Sequence, residues 1–316
     1  MHDRPGARTH VIVPAILAGM DTLALFAAAI ARHAPVDGIH DTLLPGVRLI
    51  RSSSPTMPMP VLYERTLCLV AQGRKRAVLG TTAFVYDPAY YLVASVELPV
   101  TGAVIEASPE RPYLCLSLDL DMVVLGDLAL RHPPADEDGG EDMGMALNRT
   151  TPGLLDAALR LTRLLDTPAD IDALAPLVTR EILYRLLTGA GNRIVRRMAR
   201  GDSRQNQIAR AIVWLRAHYA RDCRIDEMAD VARMSRSTFH AHFKAVTAMS
   251  PLEFRTQLRM QEARRLMVAE GMDAASAGYR VGYESPSQFS RDYARLFGVP
   301  PGRDAGRLRE AAGVAH

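Results

Sequence analysis

Three cysteines in 316 residues are too few and too scattered to staple this chain together. Cys68, Cys115 and Cys223 form no CxxC pair and no Cys/His spacing of the kind that ligates zinc. A structural zinc module and a disulfide framework are both excluded on that count, and a reducing, cytoplasmic compartment is expected. Long apolar runs are also missing: no uninterrupted stretch is long enough to span a bilayer. The segment Val11–Ile30 resembles a signal peptide in length, but Pro14, Asp21 and an alanine-rich helical pattern continuing through Ala31 argue against one. Met1–Gly19 has no clear period, which makes Met20 a candidate alternative start. Neither sign of charge dominates, the net being +3.

That small net charge hides an asymmetry. From Gln207 onward there are 17 Lys plus Arg against 12 Asp plus Glu, a net of +5, whereas the rest of the chain carries −2. The basic excess is nearly all arginine, with Lys244 the only lysine in that part. A guanidinium fork donates two parallel hydrogen bonds, which suits phosphate and guanine. The length allows two or three domains, each with its own core.

Periodicity divides the chain. Met20–His33 reads as a helix with Leu23, Phe26, Ala27 and Ile30 on one face, ended by Pro35 and Gly38. Short β-rich runs follow at Val47–Ile50, Val61–Val70, Arg76–Leu79, Ala83–Val85, Tyr90–Val96, Gly102–Glu106 and Tyr113–Leu120. Gln72-Gly73, Gly80, Asp87-Pro88, Pro99 and Ser108-Pro109 separate them, a spacing typical of a sandwich or barrel. Arg74-Lys75-Arg76 reads as a solvated hairpin turn between Gly73 and Gly80. The acidic, Pro- and Gly-rich segment His132–Gly144 reads as an exposed loop. Leu154, Leu155, Ala158, Leu161, Leu164 and Leu165 then recur at helical spacing. A second helix starts at Thr167-Pro168-Ala169-Asp170, with Thr167 as N-cap and Asp170 reaching back, and runs to Gly189. The leucines from Leu161 to Leu187 suit a dimer interface or packing on their own domain equally well. Arg200–Asn206 reads as a polar linker. The expected domains are residues 20–200 (strands about 44–121, helices about 122–200) and 207–309.

The last hundred residues repeat. Asp226–Pro251 matches Ala274–Pro301: Phe239 with Phe289, Phe243 with Tyr293, Val246 with Leu296 and Pro251 with Pro301, all offset by 50. Before the turn the offset is 49, pairing Ala229 with Gly278 and Met234 with Tyr283. Each copy reads as a helix-turn-helix. Ala229 and Gly278 let two helices cross closely, and Met234 and Tyr283 plug the turn. Ser235 and Ser285 cap the second helix. Phe239 with Phe243, and Phe289 with Tyr293, bury one of its faces, and the opposite face is free for a major groove. A helix from Leu252 to Ala269, roughly 27 Å long at 1.5 Å per residue, sets the two units about one DNA turn apart, ~34 Å, on two successive major grooves.

This region resembles the AraC/XylS family of transcription regulators from about Ile208 to Leu308, most closely in VGYESPSQFSRDYARLFGVPP. Ala248 departs from the glycine usual at the end of the first recognition helix. A weaker resemblance covers Met20–Leu120, in LCLVAQGRKRAVLG, YYLVASVELPVTG and EASPERPYLCL. It implies an α+β chain: a cupin-like β-barrel with flanking helices that senses a small molecule or mediates dimerisation, then an all-α DNA-binding domain. By the resemblance, Arg236, Ser237, His240 and Lys244 of the first unit, and Ser287, Gln288 and Arg291 of the second, match DNA-contact positions. RNA polymerase is implied as a partner, and a homodimer is one reading of the first domain.

The expected function is a sequence-specific, effector-responsive transcription activator that is not an enzyme and needs no cofactor. The alternative is a cupin-type enzyme or carbohydrate-binding domain fused to DNA-binding helices. Metal-dependent cupin chemistry draws on strand histidines, yet no histidine falls between His40 and His132, and Glu97, Glu106 and Asp119 alone make a poor transition-metal site. Cys68 and Cys115 are candidates for redox or effector sensing if their thiols are activated, against the plainer reading of small buried hydrophobes.

Overall fold

The computed structural model describes residues 15–133, 143–189, 192–201 and 203–311. Helix α1 (Ala15–His33) buries Phe26 and Ile30, with Leu23 and Ala27 packed against the same core, as the periodicity requires. The strands form two antiparallel sheets. The larger runs in the order β1 (Gly38–Asp41), β2 (Val47–Ser52), β9 (Tyr113–Asp119), β4 (Thr66–Gln72), β7 (Tyr90–Ala94), β10 (Met145–Arg149). The smaller runs β3 (Met59–Tyr63), β8 (Leu98–Glu106), β5 (Arg74–Leu79), β6 (Thr82–Tyr86). The expected β-rich, cupin-like domain is present, but its strands make two separate sheets and not one closed hydrogen-bonded ring. Alternation and turn residues announce strands; they do not say whether the outer strands meet.

Two more differences have local causes. The run Val61–Val70 holds parts of two strands in different sheets, broken at Glu64-Arg65. Pro99 sits inside β8, where it pairs with Leu62 of β3 but lies beyond the end of β5, whose pairing with β8 stops at Thr101. No β5 carbonyl is therefore deprived of a donor there. Arg74–Arg76 is strand and not turn, so Lys75 points between the sheets while Arg74 and Arg76 stay exposed.

Successive residues of the larger sheet serve two cores. Leu67, Leu69, Leu114, Leu116 and Leu118 face α1, α3 (Pro152–Arg163) and α4 (Ile171–Thr188). Cys68, Val70, Leu92, Ala94 and Cys115 face the smaller sheet. Helix α2 (Met122–Arg131) is capped by Asp121, which accepts from the Val123 and Val124 amides. Thr167 and Pro168 open a short 3-10 turn into α4, where Asp170 returns a backbone rather than a side-chain bond, and α4 ends at Gly189. Most of the acidic His132–Gly144 segment lies outside the described residues.

After α5 (Arg193–Ala199), Ser203 caps α6 (Arg204–His218), so Arg204–Asn206 are helical. Then come α7 (Ile225–Ala232), α8 (Arg236–Thr247), α9 (Pro251–Ala269), α10 (Ala274–Arg280), α11 (Pro286–Phe297) and α12 (Pro301–Ala311). The core between the sheets runs on without a break into Ile208, Ile212 and Leu215 of α6, Met228 of α7 and Phe239, Phe243 and Val246 of α8. The second helical repeat has its own core around Met260, Leu266, Phe289 and Tyr293.

Candidate DNA interface

The two repeats superimpose bond for bond at the positions the sequence picks out. Met234 N–H donates to Ala229 C=O at 3.0 Å, and Tyr283 N–H donates to Gly278 C=O at 3.0 Å. Ser235 Oγ accepts from Thr238 N–H and Ser285 Oγ from Gln288 N–H, so each recognition helix is side-chain capped. A Cβ on Gly278 would stand 2.9 Å from the Phe289 ring, which explains the small residue at that crossing. Helix α8 leaves through Ala248 at φ 58 and α11 through Gly298 at φ 75. The alanine therefore adopts the left-handed exit that glycine takes in the second copy, at a steric cost.

Phe239 and Phe243 of α8, and Phe289 and Tyr293 of α11, are fully buried. On the opposite faces Arg236, Ser237, His240 and Lys244 of α8 are exposed, as are Ser287, Gln288 and Arg291 of α11. Lys244 and Arg291 make no salt bridge among the described residues, and Arg236 is only loosely paired with Asp226 at 3.8 Å. Each helix thus turns toward solvent a cation that has no salt-bridge partner among the described residues, although the Lys244 charge is felt by Glu253 at the start of α9. Arg295, one turn beyond Arg291, is exposed too but is held by Asp292 at 2.9 Å.

Residues the sequence reading missed hold these helices in place. Asp304 of α12 is fully buried and accepts from Arg264 of α9 at 2.8 Å, Arg307 at 3.1 Å and the Tyr293 hydroxyl at 2.9 Å. Burial and the Asp304 charge push the Tyr293 phenol well above its usual range, so it stays a neutral donor. Arg259 of α9 donates to the carbonyls of Tyr219, Ala220 and Arg221, tying the α6–α7 loop to the central helix. The approach is so close that a Cβ on Gly282 (φ 87) would lie 1.9 Å from the Ala220 oxygen. In the sequence the trace of this is no more than a glycine at position 282.

The first unit also touches the sheets. Gly144 N–H donates to Val246 C=O at 2.8 Å, and the same Gly144 accepts from Ser95 N–H at 2.8 Å. Gln205 of α6 donates to Ser95 Oγ at 2.5 Å, and Arg216 pairs with Glu97.

Cys68 and Cys115 point from neighbouring strands into the space between the sheets, 5% and 0% exposed. The Lys75 ammonium lies 5.3 Å from the Tyr63 ring centroid, Tyr63 and Tyr86 share a 2.9 Å hydroxyl bond, and the buried Tyr113 hydroxyl lies beside the Cys115 thiol. Burial pushes the Cys115 thiol up. A hydrogen bond from Cys115, helped by the Lys75 charge and opposed by burial, holds Cys68 below the ordinary thiol range. Among the described residues no group of three or more His, Cys, Asp or Glu is placed to hold a metal ion.

Comparison with known proteins agrees with this geometry. Residues 43–193 match the AraC-type transcriptional regulator N-terminus, and residues 228–306 match a helix-turn-helix domain. The transcriptional activator RhaS of Escherichia coli O1:K1 is 24% identical over 225 residues, 70% of this chain and 74% of RhaS. The RCS-specific activator RclR of Escherichia coli K12 is 34% identical over 88 residues, 28% of this chain and only 31% of RclR. Among solved structures, ToxT of Vibrio cholerae O395, bound to (E)-4-(8-methylnaphthalen-1-yl)but-3-enoic acid, shares the fold with a TM-score of 0.55 at 13% identity, covering 83% of this chain and 98% of ToxT. Carrying both matched domains in this order, the chain belongs to the AraC family of transcription regulators.

Proposed function

We propose that this chain is a sequence-specific transcription activator that reads two successive major grooves of double-stranded DNA and responds to a small effector held by its N-terminal domain. The observation that carries the DNA-binding half is the pair of capped recognition helices whose outer faces present Lys244 and Arg291 without salt-bridge partners among the described residues. We assign base-edge and phosphate contacts to Arg236, Ser237, His240 and Lys244 in α8, and to Ser287, Gln288 and Arg291 in α11. RNA polymerase is the partner this reading needs at a promoter, and the cytoplasm is its place. No helix among the described residues is long and apolar enough to cross a membrane.

The effector half rests on the domain match and on the continuous core from the sheets into α6 and α8, through which packing changes reach the first unit. ToxT, which shares the fold, has been solved with an organic acid bound. The leucine stripe splits: Leu161, Leu183, Leu186 and Leu187 are buried in their own domain, while Leu174, Leu177 and Tyr184 of α4 are exposed. We assign the exposed set to a homodimer contact. The thiols supply a second reading of the trigger, favoured by the placement of Cys68 and Cys115 around Lys75.

The test is reporter output in host cells for the intact chain and for one lacking Met1–Arg200, across candidate metabolites and oxidants. An effector response confined to the intact chain supports the proposal; identical output from both under every condition refutes it. A response abolished by Cys68→Ser or Cys115→Ser makes the thiols the trigger.

A further inference from the structure

A cavity of about 550 Å³ opens where the β1–β2 turn, the end of β9, and helices α2, α3 and α4 converge. It lies on the helix-covered side of the larger sheet, away from the inter-sheet space that holds Lys75 and the thiols. Its volume falls in the range of small-molecule sites. Val47, Leu118, Leu161 and Ala175 supply apolar walls.

The polar side chains at its rim are three carboxylates and one hydroxyl. Asp119, Asp121, Asp172 and Thr179 line it, and no lysine, arginine or histidine does. Two of the carboxylates are already engaged: Asp119 by Arg48 at 2.9 Å, and Asp121 by the α2 amides it caps. The nearest cation along α4, Arg180, is turned away to Asp127 at 2.6 Å. Asp172 has no ion pair or side-chain hydrogen bond among the described residues. Pro176, also in the wall, has no N–H, so the Asp172 carbonyl one turn back lacks its helical donor. A free carboxylate and a carbonyl without its helical donor, both from the exposed Asp172, thus stand at the open edge of an apolar cleft, and the cation beside it, Arg48, is held by Asp119.

We propose that this cleft binds a small amine with an apolar body, its ammonium taken by Asp172 and its ring or chain laid against Leu118 and Ala175. The cleft connects to the DNA-binding half. Asp121 starts α2, Asp127 of α2 holds Arg180 of α4, and Asn192 after α4 bonds the Tyr91 hydroxyl at 2.9 Å. Asn206 of α6 then donates to the Met198 and Arg200 carbonyls at 2.8 and 2.7 Å. Occupancy therefore biases how α6 is seated; this regulatory half rests on the effector-responsive reading above, whereas the binding half does not.

The test uses the full chain with 1-naphthylmethylamine as probe and 1-naphthoate as its anionic counterpart. Calorimetry reads binding, and fluorescence anisotropy reads affinity for an operator selected from random duplex. Two variants are compared, Asp172→Asn to remove the charge and Thr179→Phe to fill the cleft, each checked for native circular dichroism. The expected result is amine binding without naphthoate binding, weakened about tenfold in Asp172→Asn, the loss of one charge-assisted hydrogen bond, and abolished in Thr179→Phe. Operator affinity shifts with amine only where amine binds. No amine binding, equal binding of naphthoate, or amine binding unchanged in both variants overturns the site. Amine binding that leaves operator affinity unchanged overturns its regulatory half, while the truncation experiment still judges the effector reading on its own.

Discussion

Arg291 carries the sharpest expectation of any single side chain. Exposed and without a salt bridge among the described residues, it has its fork to spend on DNA, so Arg291→Ala should cost roughly 1–3 kcal/mol of operator binding and relax preference at one base pair. A competition series over single-base operator variants decides this; unchanged preference would reassign Arg291 to phosphate. Ala248 makes the opposite kind of prediction. Its left-handed exit at φ 58 strains any residue with a Cβ, and Ala248→Gly should stabilise the chain by about 1 kcal/mol, read as a raised Tm. The same Cβ faces Gly80, where an added Cβ would come within 2.8 Å, so Gly80→Ala should lower the Tm. Of these features, the polar face of α11 was legible from the repeat and the departure at Ala248 from the family resemblance. The Gly80 contact was not, because nothing local links a hairpin turn to a helix end so far along the chain.

At the scale of elements, single buried charges decide whether helices stay docked. Asp304 joins α9, α11 and α12 through two arginines and a tyrosine. Asp304→Ala leaves Arg264 largely buried and unpaired, a loss of about 3–5 kcal/mol, and should melt the second unit while the first keeps its structure; amide exchange confined to α10–α12 would show it. Exposed pairs act more gently. Hydrogen bonds from Arg32 and His33 of α1 lower the Asp166 pKa from 3.8, and one from Arg180 does the same for Asp127. A carboxylate held low in the folded state contributes stability that is fully present above its unfolded value and is lost as pH falls through the folded one. The Tm should therefore drop as pH falls below about 3.8, and Asp166→Asn should flatten that drop. The helices were readable in advance because caps and apolar periodicity are local. Strand β10 was not: five residues after an acidic loop carry too little pattern to outweigh the loop.

The whole molecule shares one core between the sheets and the first DNA-binding unit. A C-terminal fragment should still fold, since α6 to α12 contain both units, but its first unit loses its packing on the sheets. It should also begin at Ser203, whose hydroxyl caps the Asn206 amide. A fragment from Ser203 should be more stable than one from Gln207 by about 1 kcal/mol, the worth of an N-cap, plus the lost helical turn. Urea unfolding of the two fragments, followed by circular dichroism, measures the difference. Equal midpoints would show that the first turn of α6 belongs to the N-terminal domain.

The sequence by itself determined the repeat, its 49- and 50-residue offsets, the caps, the buried face of each recognition helix and the change from strands to helices. All of these depend on residues within a few turns of one another, where backbone geometry leaves few choices. Only the tertiary structure decided that the strands make two sheets, that Lys75 points inward, that Gly144 meets Val246, and that Asp304 finds Arg264. Those outcomes depend on which distant surfaces bury one another. Many partners satisfy an apolar face equally well in sequence, and only packing in three dimensions selects one.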